Sequence, residues 1–231
     1  MPIFKYQFKF PDNTKETITY TLKLDDKTFL FVDDENRQEP PSWAKLASNK
    51  CSNCQLDEKS TPFCPVARNL YSVVKHFNDV SSFQESIVFV ETKDRSYGKK
   101  CTIQEGLFSI FGIIMATSGC IHMEFFRSMV RSHLPFATYQ ETFVRISSTH
   151  LMVQYLKKKK NKSTEELSLD GLVDIYREVQ IVNQGILKRI QSIAKKDADK
   201  NALIILDNYA SIIGSDLKSN DFETLNDYFG I

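Results

Sequence analysis

Three of the five cysteines lie in one short segment, where Cys51 and Cys54 form a Cys-x-x-Cys motif and Cys64 follows shortly after it. Two intervening residues let the chain turn while both thiols stay on the same side, so two sulfurs can face one metal ion. Cys64 directly precedes Pro65 at the predicted start of a helix, where the positive end of the helix dipole favours a thiolate. The segment therefore predicts three ligands of a metal site and leaves one position open.

Cys120 is the expected fourth ligand, because it follows Ser118 and Gly119 at a predicted sharp turn between helices. A side chain at such a turn can point out of the helices toward another element. Cys101 and His122 compete for this position, although Cys101 falls in a predicted strand, where a cysteine often packs as a small hydrophobic residue. Four cysteines suit either a structural zinc ion or a [4Fe–4S] cluster, and their spacing does not distinguish the two.

Further polar residues follow Cys120 within an otherwise apolar stretch. An enzymatic interpretation makes Arg127 or Arg131 an anion-binding group and His133 an acid–base group or a ligand. We favour a structural interpretation, in which the arginines face solvent or cap helix ends and His133 bonds a backbone carbonyl. His150 is expected to be a hydrogen-bonded core residue rather than a ligand.

The charges are balanced, with 30 Lys and Arg against 29 Asp and Glu and a formal net charge of +1. No overall field draws this chain to nucleic acid, which is therefore not an expected partner. The run Lys157–Lys160, with Lys162, lies between two predicted helices and has no interleaved aromatic residues. We expect it to form a solvated loop.

The sequence indicates a cytoplasmic protein without membrane spans. Residues 1–10 alternate apolar and polar residues, whereas a secretory signal needs a continuous apolar stretch of about 7–15 residues. The most apolar window, residues 107–116, is half as long as the roughly 20 residues that a spanning helix needs. Cytosolic reductants keep thiols reduced, so the five cysteines are not expected to form disulfides.

Two groups of alternating segments predict an antiparallel sheet of about five strands. The first group covers residues 4–10, 17–24 and 28–32, with a turn at 11–14, and the irregular stretch 33–50 is expected to be a loop. The second group, residues 86–92 and 96–103, forms a predicted hairpin that can extend the first sheet. Between the groups, residues 65–77 have the apolar spacing of a helix.

Helices dominate the rest of the chain. Thr102 with Glu105 and Thr138 with Glu141 have the spacing of a capping box at a helix start. Gly119 is expected to end the first of these helices in the left-handed conformation, and Gly214 to end a later one. The six predicted helices cover residues 102–116, 122–133, 138–156, 169–193, 201–213 and 222–229.

Strands gathered early and helices gathered late favour an α+β fold, with an N-terminal antiparallel sheet and a C-terminal bundle of about five or six helices. The predicted organisation is a mainly β lobe over residues 1–103, containing the cysteine segment 51–64, and a helical lobe over residues 104–231. The two lobes can also form one integrated domain.

Several motifs together resemble an uncharacterised bacterial protein family, and the resemblance covers nearly the whole chain. They are Cys51-Ser52-Asn53-Cys54, Phe63-Cys64-Pro65, Thr117-Ser118-Gly119-Cys120, His133-Leu134-Pro135-Phe136 and the stretch from Asn201 to Asp207. The family pattern includes Cys51, Cys54, Cys64 and Cys120 but not Cys101, which implies the same four ligands. This sequence departs from the pattern at Ile121, where the family has proline. The resemblance implies no reaction.

The sequence thus favours a cytosolic metal-binding protein of unknown process, in which a four-cysteine zinc or iron–sulfur site links two lobes and serves a structural or a redox- or metal-sensing role. One alternative is a metal- or thiol-dependent enzyme with its site near Cys120 to His133. Another is a homo-oligomeric interaction module, with a homodimer as its simplest form. No residue indicates which small molecule such a protein would take.

Overall fold

Five antiparallel strands form one sheet in the computed structural model, which describes residues 1–11, 15–32, 39–162, 164, 166–193, 197–219 and 222–230. The strand order across the sheet is β3-β2-β1-β4-β5. The strands are β1 (Ile3–Lys9), β2 (Ile18–Leu24), β3 (Phe31–Val32), β4 (Glu85–Glu91) and β5 (Ser96–Thr102). The second predicted hairpin extends the first sheet, as expected, because β4 pairs with β1. The predicted turn at 11–14 lies mostly outside the described residues.

The alternating side chains give the sheet one buried face and one exposed face. Tyr6 and Phe8 of β1 and Leu22 of β2 are fully buried, and Val88 and Val90 of β4 share that face. Polar residues between them cover the other face, where cross-strand pairs such as Lys5 with Glu91 form. The period of two in the sequence therefore determines which face receives the helices.

β3 is shorter than the predicted strand at 28–32. The Asp25 carboxylate accepts hydrogen bonds from the backbone amides of Lys27 and Thr28 at 3.0 and 2.7 Å. Phe29 then adopts a left-handed backbone conformation with φ of 59°. Because this local turn occupies residues 25–29, only residues 31 and 32 remain to pair with β2.

One helix lies between β3 and β4, and six follow β5 within the described residues. Their bounds are α1 (Pro65–Phe77), α2 (Ile103–Ala116), α3 (Glu124–Val130), α4 (Tyr139–Asn161), α5 (Asp170–Gln191), α6 (Ala198–Ser219) and α7 (Glu223–Phe229). Short 3-10 helices occupy Ser42–Ala44, within the predicted loop 33–50, and Ile121–Met123. The predicted α+β arrangement of an N-terminal sheet and later helices is confirmed.

The apolar faces of the helices close the core over the sheet. Phe77 of α1 packs on Phe8 of β1 with ring centroids 5.0 Å apart. α2 begins directly after β5 and carries both hydrogen bonds of the predicted capping box between Thr102 and Glu105. One connected cluster of buried side chains runs from the sheet through α1 and α2 to α5 and α6. This arrangement brings the loop before α1 close to the C-terminal helices.

Two predicted helix ends are wrong. Gly214 does not end α6, which continues to Ser219 and buries Leu217 beyond the glycine. Lys157–Lys160 form the last turn of α4 rather than a loop, and Lys162 is its left-handed C-cap. Cations at this position are stabilised by the negative end of the helix dipole.

Among the described residues, no single helix has both the length and the apolar character of a membrane span. One pair in the described part of the chain meets both criteria when combined: it joins α2 to residues 121–130 and is bent by 118°.

Candidate functional site

The first two predicted ligands lie in a loop whose two ends are joined at its base. We call it the cysteine loop (residues 45–63). Lys45 and Phe63 form an antiparallel bridge at its base. The amide of Leu46 donates to the carbonyl of Pro62 at 2.8 Å just inside the bridge. At the tip, the Cys54 amide donates to the Cys51 carbonyl at 3.0 Å, which forms the tight turn expected of the Cys-x-x-Cys motif. The bridge therefore fixes where the turn presents its thiols.

The same bridge positions Cys64 at the start of α1. The Cys64 amide donates to the carbonyl of Ala44 at 2.9 Å. Its backbone is extended, and Pro65 occupies the first helical position, as predicted from the sequence. The Cys64 side chain makes no capping hydrogen bond and is buried. The start of α1 therefore does not engage the thiol as a helix cap.

Cys120 stands at the predicted turn after α2. Gly119 has φ of 85°, so the chain reverses in a backbone conformation that side chains disfavour. Cys120 then precedes the short 3-10 helix Ile121–Met123. Burial raises the pKa of the Cys120 thiol, while hydrogen bonds from the backbone amides of His122 and Met123 oppose that rise. Backbone donors of this kind stabilise a thiolate, the form that binds metals.

The structure brings the four predicted cysteines into one neighbourhood. Burial, together with the charges of Cys64, Cys54 and Cys120, raises the pKa of Cys51 to about 11, although the charge of Arg189 opposes this rise. The charges of Cys64 and Cys54 likewise raise the pKa of Cys120. All five cysteines are free thiols. Within the described part of the chain, however, no three His, Cys, Asp or Glu side chains are grouped as a ready metal site.

Cys101 lies apart from this group. It is buried in β5, and its carbonyl accepts a hydrogen bond from Ser86 at 3.1 Å. The charges that act on its thiol are those of Glu105 and Lys99, not those of the other cysteines. It thus packs as a small hydrophobic residue of the sheet.

His122, the other competing ligand, links the cysteine loop to α5. Its Nε2 lies 2.9 Å from the carbonyl oxygen of Asn53, and its Nδ1 lies 3.3 Å from a carboxylate oxygen of Glu178. The Asn53 side chain donates to the same carboxylate at 2.8 Å and to the Glu178 carbonyl at 3.1 Å. Both ring nitrogens are therefore engaged by oxygen atoms. Sequence reasoning missed this contact because Asn53 serves only as a spacer in the Cys-x-x-Cys motif and Glu178 lies 125 residues away and matches no motif.

α5 closes the remaining side of the cysteine loop. A Cβ added to Gly185 would stand 2.5 Å from the Cys51 sulfur, so only glycine allows this approach. One turn later, the fully buried Arg189 donates to the carbonyls of Trp43, Lys45 and Leu46 at 2.7, 2.6 and 3.1 Å. Gly185 and Arg189 share one helix face because they are four residues apart. That face holds the loop in place.

The other predicted polar residues have separate roles. Arg127 pairs with Glu124 at 2.5 Å, and the guanidinium of Arg131 lies 4.1 Å from the centroid of the Phe29 ring. The expected bond from His133 to a backbone carbonyl is not found among the described residues; the Tyr6 hydroxyl lies 2.7 Å from its Nε2 instead. His150 was expected to be hydrogen-bonded, yet its buried Nε2 has no partner among the described residues. It packs instead on the Phe125 ring.

The comparisons with known proteins show a family but no activity. No curated protein and no solved structure is detectably similar to the chain. A family model for a domain of unknown function, DUF6901, matches residues 4–229. This match spans both the sheet and the helices, including every residue of the cysteine group. The chain therefore belongs to the DUF6901 family, a family of unknown function.

Proposed function

We propose that the protein binds one metal centre, a zinc ion or a [4Fe–4S] cluster, through Cys51, Cys54, Cys64 and Cys120. The observation that carries this proposal is that the thiols of residues 51–64 and of the distant Cys120 come near enough for their charges to act on one another. Four cysteines are the usual complete ligand set for a structural zinc ion and for such a cluster.

The surroundings of the thiols support binding of a soft metal. The cysteine loop, the start of α1 and the turn after α2 each supply thiols, while α5 closes the group through Gly185. Zinc–sulfur bonds are about 2.3 Å long. Because the thiols are not grouped at such distances, binding requires their side chains to rotate toward a common point, and the Cys-x-x-Cys turn presents two of them together.

The proposed role is to hold the cysteine loop against the helices, or to release it when the metal is lost or the thiols are oxidised. A metal bound only by the folded chain adds its binding free energy to the stability of the fold. The metal would therefore join the segment before α1 to the C-terminal helices. A reducing compartment such as the cytoplasm keeps the thiols in the form that this requires.

Anaerobic purification followed by elemental analysis and a visible spectrum tests the proposal. We expect about one zinc per chain without colour, or about four irons per chain with broad visible absorption. The variant Cys54→Ser should lose the metal. The matched control Cys101→Ser removes a thiol outside the group and should retain it.

Two results would overturn the proposal. One is a pure, reduced protein that contains neither zinc nor iron and binds neither when they are supplied. The other is full retention of metal by Cys54→Ser, which would place the metal elsewhere on the chain.

A further inference from the structure

An apolar cavity lies between the helices, and no cysteine is among the described residues that line it. It consists of two adjoining chambers of about 140 and 130 Å³. The chambers share lining residues from α2, α3, α4 and α6: Phe108, Gly112, Phe126, Met129, Thr142 and Leu206. An engineered cavity of about 150 Å³ in another protein is large enough to bind benzene. Each chamber can thus hold roughly six carbon atoms.

Gly112 keeps the junction of the two chambers open. It lies within α2 and lines both chambers, and a Cβ added there would meet no atom within 4 Å. Glycine inside a helix costs about 1 kcal/mol relative to alanine. No close contact requires glycine at this position. The space beside Gly112 is therefore free for a ligand.

Arg145 provides the only charged side chain among the described residues that line the two chambers. Its Nη2 donates to the carbonyls of Ser132 at 2.9 Å and Met129 at 3.2 Å. Among the described residues, no carboxylate forms a salt bridge with it. Burial lowers its pKa, and the charges of Glu141 and Tyr97 oppose that decrease. A partly buried guanidinium bonded only to neutral carbonyls gains from an anionic partner.

The other polar groups at this end of the cavity are neutral. The Tyr6 hydroxyl lies 2.7 Å from His133 Nε2, and the amide of Phe136 donates to the Ser109 hydroxyl at 3.3 Å. Burial, with a smaller contribution from the charge of Arg145, lowers the pKa of His133 to about 3. Arg145 is therefore the one cation among the described residues that line this end.

We propose that the cavity binds a medium-chain aliphatic carboxylate, with its carboxylate on Arg145 and its chain passing Gly112 into the second chamber. That chamber is lined by Met115, Met123 and Met129 together with aromatic and aliphatic side chains. Methionine adapts to irregular apolar ligands because its side chain is unbranched and polarizable. Two chambers of this size accommodate a chain of roughly eight to ten carbons.

Isothermal titration of the reduced protein with octanoate at pH 7 tests the proposal, with octan-1-ol as the uncharged ligand of equal length. We expect octanoate to bind about tenfold more tightly than octanol, and Arg145→Gln to remove that preference. The matched control Arg127→Gln removes an arginine outside the cavity and should bind octanoate like the wild-type protein.

Gly112→Leu tests the path of the chain independently of charge. Its side chain would occupy the open junction, so octanoate binding should fall at least about tenfold while thermal stability is maintained or rises. Absence of octanoate binding by the wild-type protein would overturn the proposal. Unchanged octanoate binding by a folded Gly112→Leu variant would do the same, as would equal binding of octanoate and octanol. Cys54→Ser should leave octanoate binding intact, which separates this cavity from the metal site.

Discussion

Replacing Gly185 with alanine tests how closely α5 packs on the cysteine loop. The added methyl carbon would stand 2.5 Å from the Cys51 sulfur, whereas nonbonded heavy atoms usually approach to about 3.5–4.0 Å. The sulfur must therefore move by about 1 Å. Because Arg189 holds the same helix to the base of the loop, the loop cannot easily retreat as a whole.

The expected loss of stability is modest and measurable. Forcing a methyl group into a packed site costs about 1–3 kcal/mol, and alanine recovers about 1 kcal/mol through its higher helix propensity. Gly185→Ala should therefore lower the free energy of unfolding of the metal-free protein by about 1 kcal/mol. The matched control is Gly112→Ala, where the added Cβ meets no atom within 4 Å. It should raise the same free energy by up to about 1 kcal/mol.

Urea unfolding followed by circular dichroism, in reducing buffer with a chelator, compares the two variants directly. We expect their free energies of unfolding to differ by about 2 kcal/mol. The added methyl group also restricts the rotation that Cys51 needs to reach a metal, and metal–sulfur distances tolerate only about 0.2 Å, so zinc binding should weaken by about tenfold relative to Gly112→Ala. Equal stabilities of the two variants would refute the reasoning, because Cys51 would then rotate away from α5 without cost.

Three further changes test the buried polar groups. Burial raises the pKa of Asp199 to about 8 in the folded protein, against about 3.9 when unfolded, so wild-type stability should fall relative to Asp199→Asn by about 1.4 kcal/mol per pH unit between these values. Urea titrations at pH 5 and 7 measure this, and equal slopes for both proteins would contradict it. Tyr6→Phe removes the hydroxyl that bonds His133 and should cost about 1–3 kcal/mol by the same assay; no loss would mean that His133 finds another partner. Arg189→Leu leaves three carbonyls without their donor and should cost about 3 kcal/mol in thermal or urea unfolding, whereas an unchanged midpoint would show that water replaces the guanidinium.

The sequence predicts those parts of the fold that depend on local patterns. Alternation in β1 and β2 and the two capping boxes at Thr102 and Thr138 depend on residues at most a few positions apart, and the structure has all of them. The predicted end of α6 at Gly214 is wrong, because the helix continues to Ser219 and buries Leu217 in the core beyond the glycine. Local preferences are weak compared with such tertiary contacts.

The candidate site is predictable only in part for the same reason. Cysteines stand out by type and spacing, so the members of the thiol group can be identified from the sequence. Asn53, Glu178 and Arg189 are ordinary polar residues in the sequence, and their roles depend on contacts across more than a hundred residues. Arg145 and Gly112 are equally inconspicuous, because a cavity arises from the arrangement of several helices and has no local pattern.

Because Gly185 lies late in the chain, the thiols of the cysteine loop are uncovered during part of translation. A ribosome adds about 5–20 residues per second, and about 120 residues separate Cys64 from Gly185. For on the order of ten seconds, the newly made cysteine loop therefore has no α5 to cover it. During that interval its thiols are open to oxidants and to whichever metal the cell supplies first. If the protein binds a metal as proposed, the identity of that metal depends on conditions during translation.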